Sequence, residues 1–303
     1  MKQLVLLGLI FLFTLGWAIG QEDQGQQPVF RSQVDVVNVL FTVRWGDSYV
    51  TNLTREDFEV RENGILQEIQ FFNREGDEDA QPLSIVLLID TSGSVKDKLR
   101  FEQEAASFFL EETLRKNRDM AAVVQFDSEI NLVQDFTYDA GLLNHSIDQI
   151  RAGGATKLYD AIWVSVNDLL RHEVGRRVLV VLSDGEDTQS IVSDDDAIKI
   201  AQDHDVMIFG IGVRSGRFGS NFGKLKSFAE DTGGLFFDSR ARLDELQRAF
   251  ARINEAIKNQ YSIGYVSTNQ ARDGTFREIE IEARGRGLKV MHRKGYYAEG
   301  GGS

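Results

Sequence analysis

The sequence predicts a doubly wound, mostly parallel α/β sheet inserted in a small antiparallel β-sandwich formed by the N- and C-terminal segments. Two patterns carry this. From Leu83 to about Gln260, short aliphatic runs alternate with amphipathic helical stretches, the mark of a parallel sheet covered on both faces. On either side, from Val34 to Phe72 and from Tyr261 onward, apolar and polar residues alternate at period two, as in half-buried antiparallel strands. Each flank has roughly 40 residues and is marginal for burying a core alone. Together they supply enough strands for one sandwich, so the two flanks are expected to fold as one discontinuous unit.

The elements follow in order. Lys2, the apolar stretch Leu4 to Leu15 and the small residues of Ala18-Ile19-Gly20 make residues 1–20 a secretory signal, cleaved near Gly20. The protein is then secreted or periplasmic, with no membrane span left after cleavage; the competing reading is an uncleaved anchor. The first sandwich piece covers 30–76. In it Val39, Phe41 and Val43 alternate, a phase slip near Val37 suggests a bulge, and Asn63-Gly64 marks a hairpin between Phe58–Glu62 and Ile65–Phe72. Arg74 to Gln81 reads as a linker before Pro82.

The α/β domain covers 82–260. Its strands are Ile85–Ile89, Ala121–Phe126, Val178–Leu182, Val206–Ile211 and Leu235–Phe237, with Glu129–Val133 as an antiparallel edge. Helical patterns span Lys98–Arg115, Leu158–Leu170, Asp194–Gln202, Phe222–Asp231 and Leu243–Ile257. The second sandwich piece covers 261–298, with a turn at Asp273-Gly274, and 299–303 form a Gly-rich tail expected to be disordered.

Composition narrows the functions. The 303 residues carry 34 basic and 47 acidic side chains, a net charge of −13, which argues against nucleic acid or an anionic membrane as the main partner. There is no cysteine, which removes thiolate metal sites and cysteine nucleophiles. The four histidines are scattered without ligand spacing, so zinc is not expected.

Three polar loops remain. Asp90-Thr91-Ser92-Gly93-Ser94 ends the first aliphatic run, Ser183-Asp184-Gly185-Glu186-Asp187 follows Val178–Leu182, and Gly153-Gly154-Ala155-Thr156 precedes a helix. Open α/β sheets place their sites at the carboxyl ends of strands, beside the switch in strand order. If these strands are neighbours, the carboxylates of Asp90 and Asp184 converge with the hydroxyls of Ser92, Ser94 and Thr156. Such hard oxygen donors suit a divalent cation, Mg²⁺ foremost, with Mn²⁺ or Ca²⁺ as alternatives. Only two of the five donors carry charge, so the cation stays electrophilic and can accept a carboxylate from a partner protein. Glu186 and Asp187 are placed to tune the site.

Asp90-x-Ser92-x-Ser94, with Thr156 in GGATKLYDA and Asp184 in LSDGED, closely resembles a von Willebrand factor type A domain, at the five positions of that family's metal-ion-dependent adhesion site. The resemblance implies that Ser92, Ser94 and Thr156 coordinate the metal, directly or through water. It implies that Asp90 and Asp184 act largely through water or around the ligands. Thr156 stands one residue later after the paired glycines than in the commonest form. The flanks DFEVRENGILQEIQFF and GTFREIEIEARGRGLKVMHRKGYYA are similar to those of the acidobacterial von Willebrand factor A-related family, so the resemblance covers nearly the whole mature chain.

The expected function is an exported adhesion or interaction module, not an enzyme, that binds an Asp or Glu of a protein partner. One alternative is a metal-dependent hydrolase of the haloacid dehalogenase phosphatase type. Ser92 there stands where a second acid is needed, and a serine cannot carry the proton. No His–Asp relay serves Ser92 or Ser94 as a nucleophile. A second alternative is a structural module whose metal only staples loops. Ser94 by itself also reads as the cap of the following helix.

Overall fold

Leu83 to Asp90 is apolar on alternate residues in both directions because both faces of this strand are covered. In the computed structural model, which describes residues 36–75, 80–214 and 221–298, all eight residues of this strand are buried. The signal segment, Val34, residues 76–79 of the linker and the tail named above lie outside the described residues.

Five strands precede the α/β layer: β1 (Val36–Trp45), β2 (Ser48–Tyr49), β3 (Phe58–Glu62), β4 (Ile65–Gln67) and β5 (Ile69–Arg74). The layer itself runs β6 (Leu83–Asp90), α1 (Leu99–Thr113), β7 (Met120–Phe126), β8 (Ile130–Thr137), α2 (Ala140–Gln149), α3 (Leu158–Val164), β9 (Arg176–Ser183), α4 (Asp194–Asp203), β10 (Val206–Val213), α5 (Gly223–Asp231), β11 (Phe236–Ser239) and α6 (Leu243–Lys258). The chain ends in β12 (Gln260–Val266), β13 (Phe276–Ala283), β14 (Leu288–His292) and β15 (Gly295–Tyr297).

The central sheet has the order β11-β10-β9-β6-β7-β8, parallel except for the edge strand β8. Ile85, Leu87 and Ile89 pack with Phe109 of α1, Ile147 of α2 and Phe250 of α6. Val86 and Leu88 face the other way, toward Ile162 of α3, Ala201 of α4 and Phe228 of α5. The chain leaves β6 for β7 and returns on the opposite side of β6 as β9. The switch in strand order therefore falls between β6 and β9.

The flanking strands form two antiparallel sheets, β14-β1-β12-β5 with β2 attached, and β15-β13-β3-β4. Each contains strands from both ends of the chain. β1 pairs with β12 from Val36↔Val266 to Thr42↔Gln260, and β3 pairs with β13. Their inner faces share a core of Val39, Phe41, Phe58, Val60, Tyr261 and Ile263. Neither flank could bury this surface by itself.

Local expectations differ in four places. The bulge near Val37 is absent: β1 holds one register against β12, Val37 faces inward and Val36 is exposed. The irregularity lies instead between Gly264 and Tyr265, where β12 meets β5. The stretch Ile65–Phe72 is two strands, because the chain changes sheet at Glu68; Gln67 is tied there to Thr268 by two hydrogen bonds of 3.0 Å. Helix α2 carries no strong helical pattern, with Gly141, Asn144 and Ser146 in its interior. It is started by Asp139, whose carboxylate accepts from the amides of Gly141 and Leu142. The pattern Leu158–Leu170 is not uniformly α-helical: after α3 the coil widens into a π turn over Ser165–Leu169 and closes with a 3-10 turn at Leu170–His172.

Candidate metal centre

The three polar loops meet at the carboxyl ends of β6 and β9, on either side of the switch point. Asp90 is the last residue of β6 and has no exposed surface. One carboxylate oxygen accepts from the Ser92 amide at 2.9 Å and the other from the Ser183 hydroxyl at 2.7 Å. Burial pushes its carboxyl up to about 6, against the lowering effect of these hydrogen bonds, with the nearby Asp184 charge adding a smaller push. Asp184, just beyond β9, is 1% exposed. It accepts the Ser94 hydroxyl at 2.6 Å and the Glu186 amide at 3.2 Å. The hydroxyls of Ser92 and Ser94 are 2.9 Å apart. Ser94 is thus a member of this cluster and not a helix cap; helix α1 starts at Lys98 without a side-chain cap.

Thr156 is brought in by main-chain bonds. Gly93 donates to the Gly154 carbonyl at 3.1 Å and Gly153 to the Thr91 carbonyl at 2.6 Å, stitching the glycine loop onto the first loop. The Thr156 amide donates to the Thr188 hydroxyl oxygen at 3.1 Å, and its carbonyl accepts from the amides of Thr188 and Gln189 at 3.0 Å each. Thr156 is buried, and its main chain is fully engaged, which leaves the hydroxyl as its free functional group. The loops approach closely enough to need glycine. At Gly154, with φ of +86°, a Cβ would lie 2.8 Å from the Ser128 hydroxyl; at Gly185, with φ of +80°, it would lie 2.8 Å from the Asn221 carbonyl.

Glu186 is exposed. Asp187 is half-buried and engaged locally: it accepts the Ser190 hydroxyl at 2.6 Å and the Tyr159 amide at 3.3 Å, so it secures the start of α3. Sequence reasoning passed over two participants. Ser183, which orients Asp90, stood inside the quoted SDGED loop. Glu102 stands three residues after Leu99 and four before Ala106, an acid on the buried stripe of α1, and that misplacement was its signal.

The donor chemistry fits a divalent cation. Asp90 and Asp184 are buried, and among the described residues neither has a Lys or Arg in an ion pair, although buried carboxylates require compensation. No group of three or more His, Asp or Glu residues among those described is arranged to hold a metal. A site here would rest on two carboxylates and the hydroxyls beside them, which is the composition of an oxygen site with room for outside ligands.

An open α/β sheet with a hydroxyl-rich acidic site at its switch point defines a class of binding domain. The profile of the von Willebrand factor type A domain matches residues 84–252, more than half of the chain, and the chain belongs to that family. Such domains are protein-interaction modules that commonly bind a divalent cation at this motif. A von Willebrand factor type A protein from Catenulispora acidiphila is 13% identical with a TM-score of 0.52, the match covering 89% of this chain and 75% of that one. Proximal thread matrix protein 1 from the mussel byssus, in a structure described as having a zinc-occupied metal-ion-dependent adhesion motif, is 16% identical with a TM-score of 0.53. That match covers 66% of this chain and 50% of the byssus protein. These likenesses concern the fold. An uncharacterized protein of Borreliella burgdorferi is 27% identical over 182 residues, and the match spans 50% of this chain and 52% of the relative, about half its length.

Proposed function

We propose that the protein is an exported interaction module that holds a divalent cation, most suitably Mg²⁺, among Asp90, Ser92, Ser94, Thr156 and Asp184. The cation supplies a positive charge that accepts an Asp or Glu side chain of a protein partner. The observation carrying this reading is the pair of buried carboxylates at the switch point, neither in an ion pair among the described residues, bonded to the Ser92 amide and to the hydroxyls of Ser94 and Ser183. Ser183 and the Ser92 amide hold Asp90 in orientation, and the Thr188 and Gln189 bonds hold Thr156. No residue is assigned a catalytic role. The secreted or periplasmic location, the choice of Mg²⁺ over Mn²⁺ or Ca²⁺ and the acidobacterial affinity of the flanks belong to the same proposal.

The test is a pull-down from envelope extracts with the purified chain. A specific protein is expected to be retained with Mg²⁺, released by EDTA, and absent from Asp90→Ala and Thr156→Ala columns. Retention of the same protein by metal-free wild type, or by both variants, would overturn the reading.

A further inference from the structure

Lys98 and Glu102 lie one helical turn apart where α1 leaves the Asp90–Ser94 loop, and the Glu102 amide donates to the Lys98 carbonyl at 3.3 Å. Glu102 is 1% exposed, and neither of its carboxylate oxygens has a hydrogen-bond partner. The Lys98 Nζ is also shut from solvent without a partner. The two side chains make no ion pair with each other. The charged groups acting on Glu102 are Asp90, Lys98 and Asp184; those acting on Lys98 are Glu102, Asp184, Asp90 and Asp97. An amine and a carboxyl, both shut from solvent and both unsatisfied, thus stand on the first turn of α1 within electrostatic reach of the two carboxylates of the candidate site.

Stability does not explain the pair. A buried carboxylate without donors costs free energy, and Lys preceding Glu by four residues is the weaker helical order. Nor is Glu102 a further ligand, since no three acids are arranged around one metal position among the described residues. Charge balance does explain it. Without a divalent cation, Asp90 and Asp184 need a positive neighbour, and Lys98 is the basic residue whose charge reaches both. With one, the ammonium is repelled, and Glu102 is the anion one turn away on the same helix face.

Resting on the cation reading above, we propose that Lys98 and Glu102 set the metal affinity of the site: Lys98 is the resident counter-ion of Asp90 and Asp184 in the metal-free protein, and Glu102 receives its charge when a divalent cation is held. The two residues then act with opposite sign. Lys98 competes with the cation, and Glu102 favours it.

The experiment is calorimetric titration of the full chain with Mg²⁺ and with Mn²⁺, for wild type, Lys98→Met, Glu102→Gln and the double variant, with melting temperatures of each metal-free protein alongside. Lys98→Met is expected to tighten cation binding and Glu102→Gln to weaken it, each by roughly tenfold. Glu102→Gln is expected to cost less affinity in the Lys98→Met background than in wild type. Glu102→Gln should not lower the metal-free melting temperature. Wild-type binding with both variants unchanged, or shifted in the same direction, would overturn the proposal while leaving the cation reading intact. Should Glu102→Gln not fold, Lys98→Met decides alone, and unchanged or weaker binding refutes the idea. A wild type that takes up neither Mg²⁺ nor Mn²⁺ defeats the cation reading and this inference with it.

Discussion

Glu102 shows what one misplaced polarity does to a fold. Burial raises its carboxyl from the usual 4.5 to about 8, with the charges of Asp90 and Asp184 opposing and Lys98 assisting ionisation. The folded protein therefore binds this proton more tightly than the unfolded chain. Stability is unaffected below the unfolded value and falls as pH rises from about 4.5 to about 8, where the cost is complete. Asp90, raised to about 6, adds a loss of the same sign over a lower window. At about 1.4 kcal/mol per pK unit, Glu102 alone amounts to roughly 3–5 kcal/mol. In EDTA, the melting temperature of wild type is expected to drop between pH 5 and pH 8.5 by several degrees more than that of Glu102→Gln. Parallel pH profiles would contradict this account.

Among the elements, α1 and α6 matter most, because α1 begins in the site and α6 hands the chain to the sandwich. They meet through Phe109 and Phe250, stacked at 4.7 Å between ring centroids. The carboxyl end of α6 is fastened by Arg176, which donates to the Ile257 carbonyl at 2.8 Å and to Gln260 Oε1 at 3.2 Å. Phe250 is 1% exposed, so Phe250→Ala is expected to lower stability by about 3–5 kcal/mol in urea unfolding. A loss under about 1 kcal/mol would mean that the two helices repack without the ring.

At the scale of the molecule, the sandwich joins the α/β layer at the amino ends of its strands, opposite the candidate site. Arg293, beside β14, donates to the Gln202 carbonyl at the end of α4 at 2.7 Å and to the Asn38 carbonyl of β1 at 2.9 Å, and pairs with Asp205 at 2.5 Å just before β10. Buried Glu75 accepts the Ser262 hydroxyl at 2.7 Å and lies 3.7 Å from Arg176, where the chain crosses between the two parts. These contacts lie at the opposite ends of the strands from Asp90 and Asp184. They are expected to couple the two parts in unfolding. Wild type is expected to melt in a single calorimetric transition and Arg293→Met in two, or in one broadened transition; an unchanged single peak would show that Arg293 is not the coupling.

The aliphatic run Ile85–Ile89, the period-two flanks and the spacing Asp90-x-Ser92-x-Ser94 were legible in the sequence, because burial of alternate side chains and strand-end loops leave local patterns. The loops holding the five candidate donors left local signals too: two follow aliphatic runs, and the third precedes a helical pattern. Tertiary structure alone decided that β9 lies beside β6, which turns two distant loops into neighbours, since strand order is set by long-range pairing and not by local preference. It alone decided that Ser94 bonds Asp184 and does not cap α1, that Asp187 braces α3, and that Ile65–Phe72 divides between two sheets. The burial of the Lys98 amine and the Glu102 carboxyl beside the loop that carries Asp90 belongs with these. An acid on an apolar stripe marks an anomaly in the sequence, but its meaning depends on which charges the fold brings around it.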